Sequence, residues 1–165
     1  MCTMRKLIPV LVIALIVSGP ATTLAATKTA TFTVTATVIS DCSIASASNI
    51  NFGSVGVMAS NTDSTGTLSV TCTTGTTYNL GLDAGNAGGS TGTTRFMANG
   101  ASTLQYQLYS DGARATIWGN TVPSNTVQGI GTGSPATSTI YARMPPQPTP
   151  AAGTYTSTVT ATITF

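Results

Sequence analysis

From Ala30 to Val38, every second residue is apolar: Ala30, Phe32, Val34, Ala36 and Val38, with a threonine between each pair. A period of two puts all five side chains on one face of an extended chain. The β-branched threonines on the other face favour that backbone. The whole stretch, Thr27–Ile39 (TKTATFTVTATVI), predicts a strand about 43 Å long at ~3.3 Å per residue. That is long for a globular strand, and it stands at the front of the chain with one greasy face and nothing beside it. A strand of this kind is an aggregation hazard unless something receives it. An open sheet edge on another protein is the natural receiver, through strand addition.

What precedes it reads as a secretory leader. Arg5 and Lys6 are followed by the apolar run Leu7–Val17, then by Ser18-Gly19-Pro20 and the small residues Ala25 and Ala26. The run is too short for a membrane span and fits a signal peptide cleaved after Ala25 or Ala26. The expected organisation is a signal peptide over residues 1–25, an N-terminal donor extension over 26–38, and one β-sandwich domain over 39–165. No later stretch is apolar enough to cross a bilayer as a helix.

Without the leader, Lys28, Arg95, Arg114 and Arg143 balance Asp41, Asp63, Asp83 and Asp111, and there is no Glu or His. Zero net charge favours self-association over colloidal repulsion and lacks the basic footprint that nucleic acid needs. Without His, neither a Ser-His-Asp triad nor a His zinc site can be built. The four Asp are widely spaced in sequence, with Asp83 and Asp111 in turn-like settings, and a glycosidase pair among them is a weak alternative. Arg95, Arg114 and Arg143 read as solvated or capping charges. The sequence therefore points to a non-enzyme with no cofactor and no metal.

Two cysteines remain, Cys42 and Cys72. In an exported chain such a pair predicts a disulfide; a two-ligand metal site is the alternative, and it lacks further ligands. The bridge closes a loop of about 31 residues, for roughly 3.5–4 kcal/mol by chain entropy.

The middle of the chain alternates short strand patterns with turn signals. Strands are expected at Asn49–Phe52, Gly66–Cys72, Tyr78–Asp83, Arg95–Met97, Leu104–Ser110, from Ile117 onward, and Ser138–Met144. Asn99-Gly100 and Asp111-Gly112 mark hairpin turns. The prolines of Pro145–Gly153 exclude a central strand there. Roughly seven short strands with regular turns indicate an all-β sandwich. The last segment mirrors the first. Tyr155, Val159, Ala161, Ile163 and Phe165 alternate with threonines, and Ser157 interrupts the apolar side.

The ordered motifs Cys42-Ser43-Ile44, Asn51-Phe52-Gly53, Leu68-Ser69-Val70-Thr71-Cys72, Leu82-Asp83-Ala84-Gly85, Tyr106–Asp111, Trp118-Gly119 and Gly153-Thr154-Tyr155 cover nearly the whole mature chain. In that order they resemble the spore coat U domain family, the pilins of archaic chaperone–usher pili. The resemblance implies an incomplete immunoglobulin-like β-sandwich whose final strand is supplied in trans, leaving a groove beside the C-terminal strand. A periplasmic pilus chaperone would fill the groove first. At an outer-membrane usher, the N-terminal strand of the neighbouring pilin would replace it, giving a homopolymer. Carried onto this chain, the donor face is Ala30, Phe32, Val34, Ala36 and Val38. The acceptor edge, which is also the chaperone-binding edge, is Tyr155, Val159, Ala161, Ile163 and Phe165. The implied role is a structural pilus subunit at the cell surface, supporting adhesion and biofilm formation. The alternatives are a minor or tip adhesin, or a secreted spore-coat-type protein. Where many relatives carry an acidic residue beside Thr158 this chain has Ser157, a change expected on the solvent face.

Overall fold

The computed structural model describes residues 24–165. The expected signal peptide lies almost wholly outside the described residues. The chain divides into two units, Met1–Ala36 and Thr37–Phe165.

In the first unit, the described residues from Leu24 to Ala36 are exposed and belong to no strand. Phe32 is 87% exposed and Val34 83%. The expected Thr27–Ile39 strand therefore forms no ladder, and Val38 and Ile39 at the start of the second unit are exposed as well. The pattern is that of a strand, but a strand is completed by a neighbour's N–H and C=O groups, and none is paired here.

The second unit is all β, with no helix among the described residues. Eight strands follow in chain order: β1 (Cys42–Ala47), β2 (Thr62–Cys72), β3 (Thr77–Leu82), β4 (Arg95–Asn99), β5 (Ser102–Tyr109), β6 (Val127–Ile130), β7 (Ala136–Met144) and β8 (Ala161–Thr164). They form a five-stranded sheet in the order β1-β2-β7-β5-β4 and a three-stranded sheet in the order β6-β3-β8. All pairings are antiparallel. The alternation of β2, β5 and β7 sends Leu68, Leu104, Leu108, Ile140 and Ala142 inward, where each is buried. From the facing sheet come Leu80 and Leu82. Trp118 is buried with its indole Nε1 donating to Leu80 O at 2.8 Å. That bond satisfies the single polar atom of a large core side chain.

Cys42 and Cys72 are disulfide-bonded and stand opposite each other in the β1–β2 ladder. This is the pairing expected from an even cysteine count.

Several boundaries differ from the sequence reading. β2 begins at Thr62, four residues before Gly66, because β7 offers it a continuous ladder from Thr62↔Met144 to Val70↔Ala136. Asp63 also pairs with Arg143 across that ladder, at 2.8 and 2.9 Å. The first domain strand is Cys42–Ala47, whereas the expected Asn49–Phe52 is not a strand. After Ser48 exchanges bonds with Thr67, the chain leaves the sheet and packs Ile50 and Phe52 against the core. Gly66 makes room for Ile50, since a Cβ there would meet Ile50 Cγ1 at 2.7 Å. In the β4–β5 hairpin Asn99 pairs with Ser102, so Gly100-Ala101 are the loop residues. Gly100 has φ 59°, the left-handed first position that suits glycine in a two-residue hairpin.

Arg95 is the largest departure. It is fully buried, not solvated. Its guanidinium donates to Asp83 O, Leu82 O and Trp118 O, each at 2.8 Å, and to Gln107 Oε1. No carboxylate touches it. Burial lowers its pKa, opposed by Tyr106 and Asp83. A planar fork of five donors is the one cationic group that can knit several carbonyls together at once.

Candidate functional site

The site begins with how the last segment is held. β3 ends at Leu82, yet the chain after Tyr155 remains fixed well beyond the reach of β3. Thr156 and Ala98 exchange both backbone bonds, at 2.9 and 3.1 Å. Asn86 N donates to Thr158 O at 3.1 Å, and Asn86 Oδ1 accepts from Thr158 N at 2.8 Å. Asp83 N donates to Thr160 O at 3.0 Å, and Asp83 Oδ1 accepts from Thr160 N at 2.9 Å. From Ala161 to Thr164 the ladder with β3 takes over. Two Asx side chains thus stand in for a missing strand.

The same Asp83 oxygen accepts from Gly85 N at 2.9 Å. Burial acts to raise the Asp83 pKa, but these hydrogen bonds and the charge of Arg95 outweigh it and hold the carboxyl below its ordinary value.

Because backbone groups alternate along a strand, the even residues Thr156, Thr158 and Thr160 spend their N–H and C=O groups on this side. The odd residues direct theirs the other way. There β8 has no neighbour: it is the edge of its sheet, and β1 is the edge of the other. The odd side chains Tyr155, Ser157, Val159, Ala161 and Ile163 are half-buried, while the even threonines are exposed. An unpaired backbone edge and an inward apolar row coincide on one segment.

A groove runs between the stretch that follows β1 and the stretch that leads into β8. One cavity, of about 450 Å³, has Ala47–Phe52 on one wall and Tyr155–Ala161 on the other, with Leu68, Leu82, Leu108 and Ile140 in its floor. A second, of about 610 Å³, continues past Phe52 and Tyr155 to Val55, Met58, Met97, Met144 and Pro150. Phe52 meets Tyr106 edge to face, with centroids 6.5 Å apart. Tyr106 Oη lies 3.1 Å from Ser157 Oγ. Burial raises the Tyr106 pKa, against the lowering effects of Ser157 and Arg95. Ser157 therefore lies inside the groove, and the solvent-face expectation for it is corrected.

The structure brings Tyr155, Val159, Ala161 and Ile163 together along this edge. Phe165, beyond the last ladder pair, is 57% exposed. Ala30, Phe32, Val34, Ala36 and Val38 are all exposed. Sequence reading missed Asp83 and Asn86 as supports of the edge. Their signal was present in the Asx residues at and just after the end of a strand, where side-chain oxygens capture backbone N–H groups. It also missed Ile50 and Phe52 as an irregular wall.

Fold and groove together define a class: an immunoglobulin-like all-β sandwich with an open edge between its sheets. Within that class, the chain belongs to the Spore Coat Protein U domain family, whose model matches residues 28–162. Among curated proteins it is similar to "Protein U" of Myxococcus xanthus, 39% identical over 156 residues, covering 86% of this chain and 87% of that protein. The family sets the chain among structural, non-enzymatic proteins. Among solved structures it is similar to a chain in the CsuC–CsuE chaperone–tip adhesion subunit pre-assembly complex from archaic chaperone–usher Csu pili of Acinetobacter baumannii. The TM-score is 0.55 at 23% identity, over 78% of this chain and 40% of that one. The likeness at this identity is one of fold.

Proposed function

We propose that the protein is a structural subunit of a surface pilus, built by strand addition between copies. The leader directs export, and the mature chain passes through the periplasm to the cell surface. The donor face Ala30, Phe32, Val34, Ala36 and Val38 of one copy enters the groove of the next, beside Tyr155, Val159, Ala161, Ile163 and Phe165. Before assembly a periplasmic chaperone covers the same edge, and an outer-membrane usher presents the subunits in turn. The filament supports adhesion and biofilm formation.

The observation that carries this reading is the unpaired edge from Tyr155 to Ile163, with its inward apolar row over an open groove. The fold shared with a chain of a chaperone–tip adhesion subunit complex supports it. So does the exposed alternating segment, whose pattern is the mirror of the edge.

Energetics favour the exchange. Each Val- or Phe-sized side chain buried contributes about 1.5–3 kcal/mol, and each ladder bond about 1 kcal/mol net. Five side chains and several bonds reach on the order of 10 kcal/mol before ordering costs. A slip of one residue would drive threonines into the groove, so register is enforced. The contact is head-to-tail between unlike surfaces, which propagates as an open filament.

The test is deletion of Thr27–Ala36. The truncated chain is expected to be exported and chaperone-bound, with no fibres visible by electron microscopy; fibres from the truncation refute the donor assignment. Antibody labelling along the whole fibre is expected for a shaft subunit, and labelling confined to the end would make it a tip subunit.

A further inference from the structure

Of the five methionines, Met1 and Met4 fall in the expected leader; the other three, Met58, Met97 and Met144, all line the second cavity. They come from three separate places. Met97 is on β4 opposite Leu104, Met144 ends β7 opposite Thr62, and Met58 lies in the loop before β2. Hydrogen bonds fix that loop: Met58 N donates to Thr149 Oγ1 at 3.0 Å, and Met58 O accepts from Gln147 N at 3.2 Å. Gln147 is itself tied to β5, its amide exchanging two bonds of 2.9 Å with the backbone of Gln105. Met144 is 3% exposed, whereas Met58 and Met97 are only half-buried. A methionine that merely fills a core gap is closed off, as Met144 is. Met97 also lines the first cavity, as do Phe52 and Tyr155, so an occupant of the groove reaches it directly.

We propose that Met97, with Met58 in the same cavity, is a modification site: a two-electron oxidant of the peroxide class converts these thioethers to sulfoxides in the unassembled subunit, and strand addition is blocked. The inference rests on the strand-addition reading above. In the reaction a sulfur lone pair attacks one peroxide oxygen. The S–O bond forms as the O–O bond breaks, the departing hydroxide takes the proton from the transferred oxygen, and water leaves. Sulfur is oxidised by two electrons and the peroxide is reduced by two. A polar S=O group then stands where a flexible apolar chain stood. Among the described residues no charged side chain lines the cavity. Covering a sulfoxide there strips its oxygen of water, a loss of about tenfold or more in affinity if it is left unpaired. A strand already lying in the groove covers Met97 and keeps the oxidant out. Oxidation therefore stops new additions and spares Met97 in finished filaments.

Hydrogen peroxide at a fixed dose, applied to the full chain on either side of the concentration at which its polymers dissociate, tests this. Peptide mass spectrometry reads each methionine separately. Below that concentration Met58 and Met97 are expected to oxidise about tenfold or more faster than Met144, following exposure. Above it, the Met97 rate is expected to fall by about tenfold or more as the site is covered. The oxidised chain is expected to need about tenfold or more protein to polymerise. The double variant Met58→Leu with Met97→Leu keeps the apolar volume, and peroxide is expected to leave its midpoint unchanged. An oxidised chain that polymerises at the unoxidised concentration overturns the inference and leaves strand addition standing. So does a double variant that peroxide still inactivates, or a Met97 rate that is the same in both assembly states. An unoxidised chain that stays monomeric at every concentration overturns strand addition itself, and this inference with it.

Discussion

Placing one negative charge on either face of the leading segment separates the faces cleanly. In the single chain Phe32 is 87% exposed, so seating it in a groove transfers nearly the whole side chain out of water. That is worth about 2–3 kcal/mol. Phe32→Asp forfeits this term and sets a carboxylate in an apolar groove floored by Leu68 and Ile140. No cation lines that cavity to pair with it. Desolvating an unpaired carboxylate costs several kcal/mol more, even after relaxation. The sum is at least ~5 kcal/mol, or between about a thousandfold and ten-thousandfold in subunit affinity. Thr33→Asp carries the same charge one residue along, on the opposite face, and belongs to the surface class of changes within about 0.5 kcal/mol. The assay is the concentration at which purified full-length polymers dissociate, followed by size-exclusion chromatography at fixed ionic strength. Phe32→Asp is expected to abolish polymer at every accessible concentration, and Thr33→Asp to move the midpoint less than threefold. Comparable losses from the two variants would show that charge, not the buried face, governs assembly, and the argument for the donor face would be refuted.

Four further outcomes follow from the same structure. Arg95→Met strands three backbone carbonyls in the core and leaves Gln107 Oε1 with the Leu108 N–H alone, at about 1–3 kcal/mol per acceptor left bare; a loss of about 4 kcal/mol or more is expected in urea unfolding read by Trp118 fluorescence, and a loss under 1 kcal/mol would contradict it. Arg95→Lys is expected to recover less than half of that, because an ammonium cannot span the four acceptors. Reducing the Cys42–Cys72 bridge, whose sequence separation is 30, is expected to cost about 3.5–4 kcal/mol in the same measurement. Asp83 has a folded pKa below its ordinary value, so its contribution is complete above about pH 4 and is lost as pH falls through the depressed value; stability should be flat from about pH 7 to pH 5 and fall in stronger acid, with Asp83→Asn less stable near neutrality and less acid-sensitive.

The strand pattern was legible wherever one side of a segment faces the core and the other faces water. The alternations of Leu104–Ser110 and Ser138–Met144 were read directly, and the structure extends the second only to Ala136. The disulfide followed from counting the cysteines that remain after a leader-like segment. Misreadings fell where the deciding partner is distant in sequence. Asn49–Phe52 alternates like a strand, but the ladder beside it is taken by Cys42–Ala47, and Ile50 and Phe52 gain more by covering the core. Arg95 carries no local mark of burial; its four acceptors come from β3, β5 and the stretch around Trp118. Ser157 looked like a solvent-facing interruption because its partner, Tyr106, lies 51 residues away.

By itself, the sequence determined the strand periodicity, the cysteine pair, the balance of charges and the presence of two matching Thr-apolar segments. Each of these is a property of neighbouring residues or of composition, and no folding is needed to see it. Tertiary structure alone decided that one of those segments is an edge: Asp83, Asn86 and Ala98 bind its even residues on one side, and the sheets stay apart on the other. Whether a strand's second row of N–H and C=O groups is paired depends on what stands 5 Å away across the sheet, and a one-dimensional pattern holds no record of that neighbour.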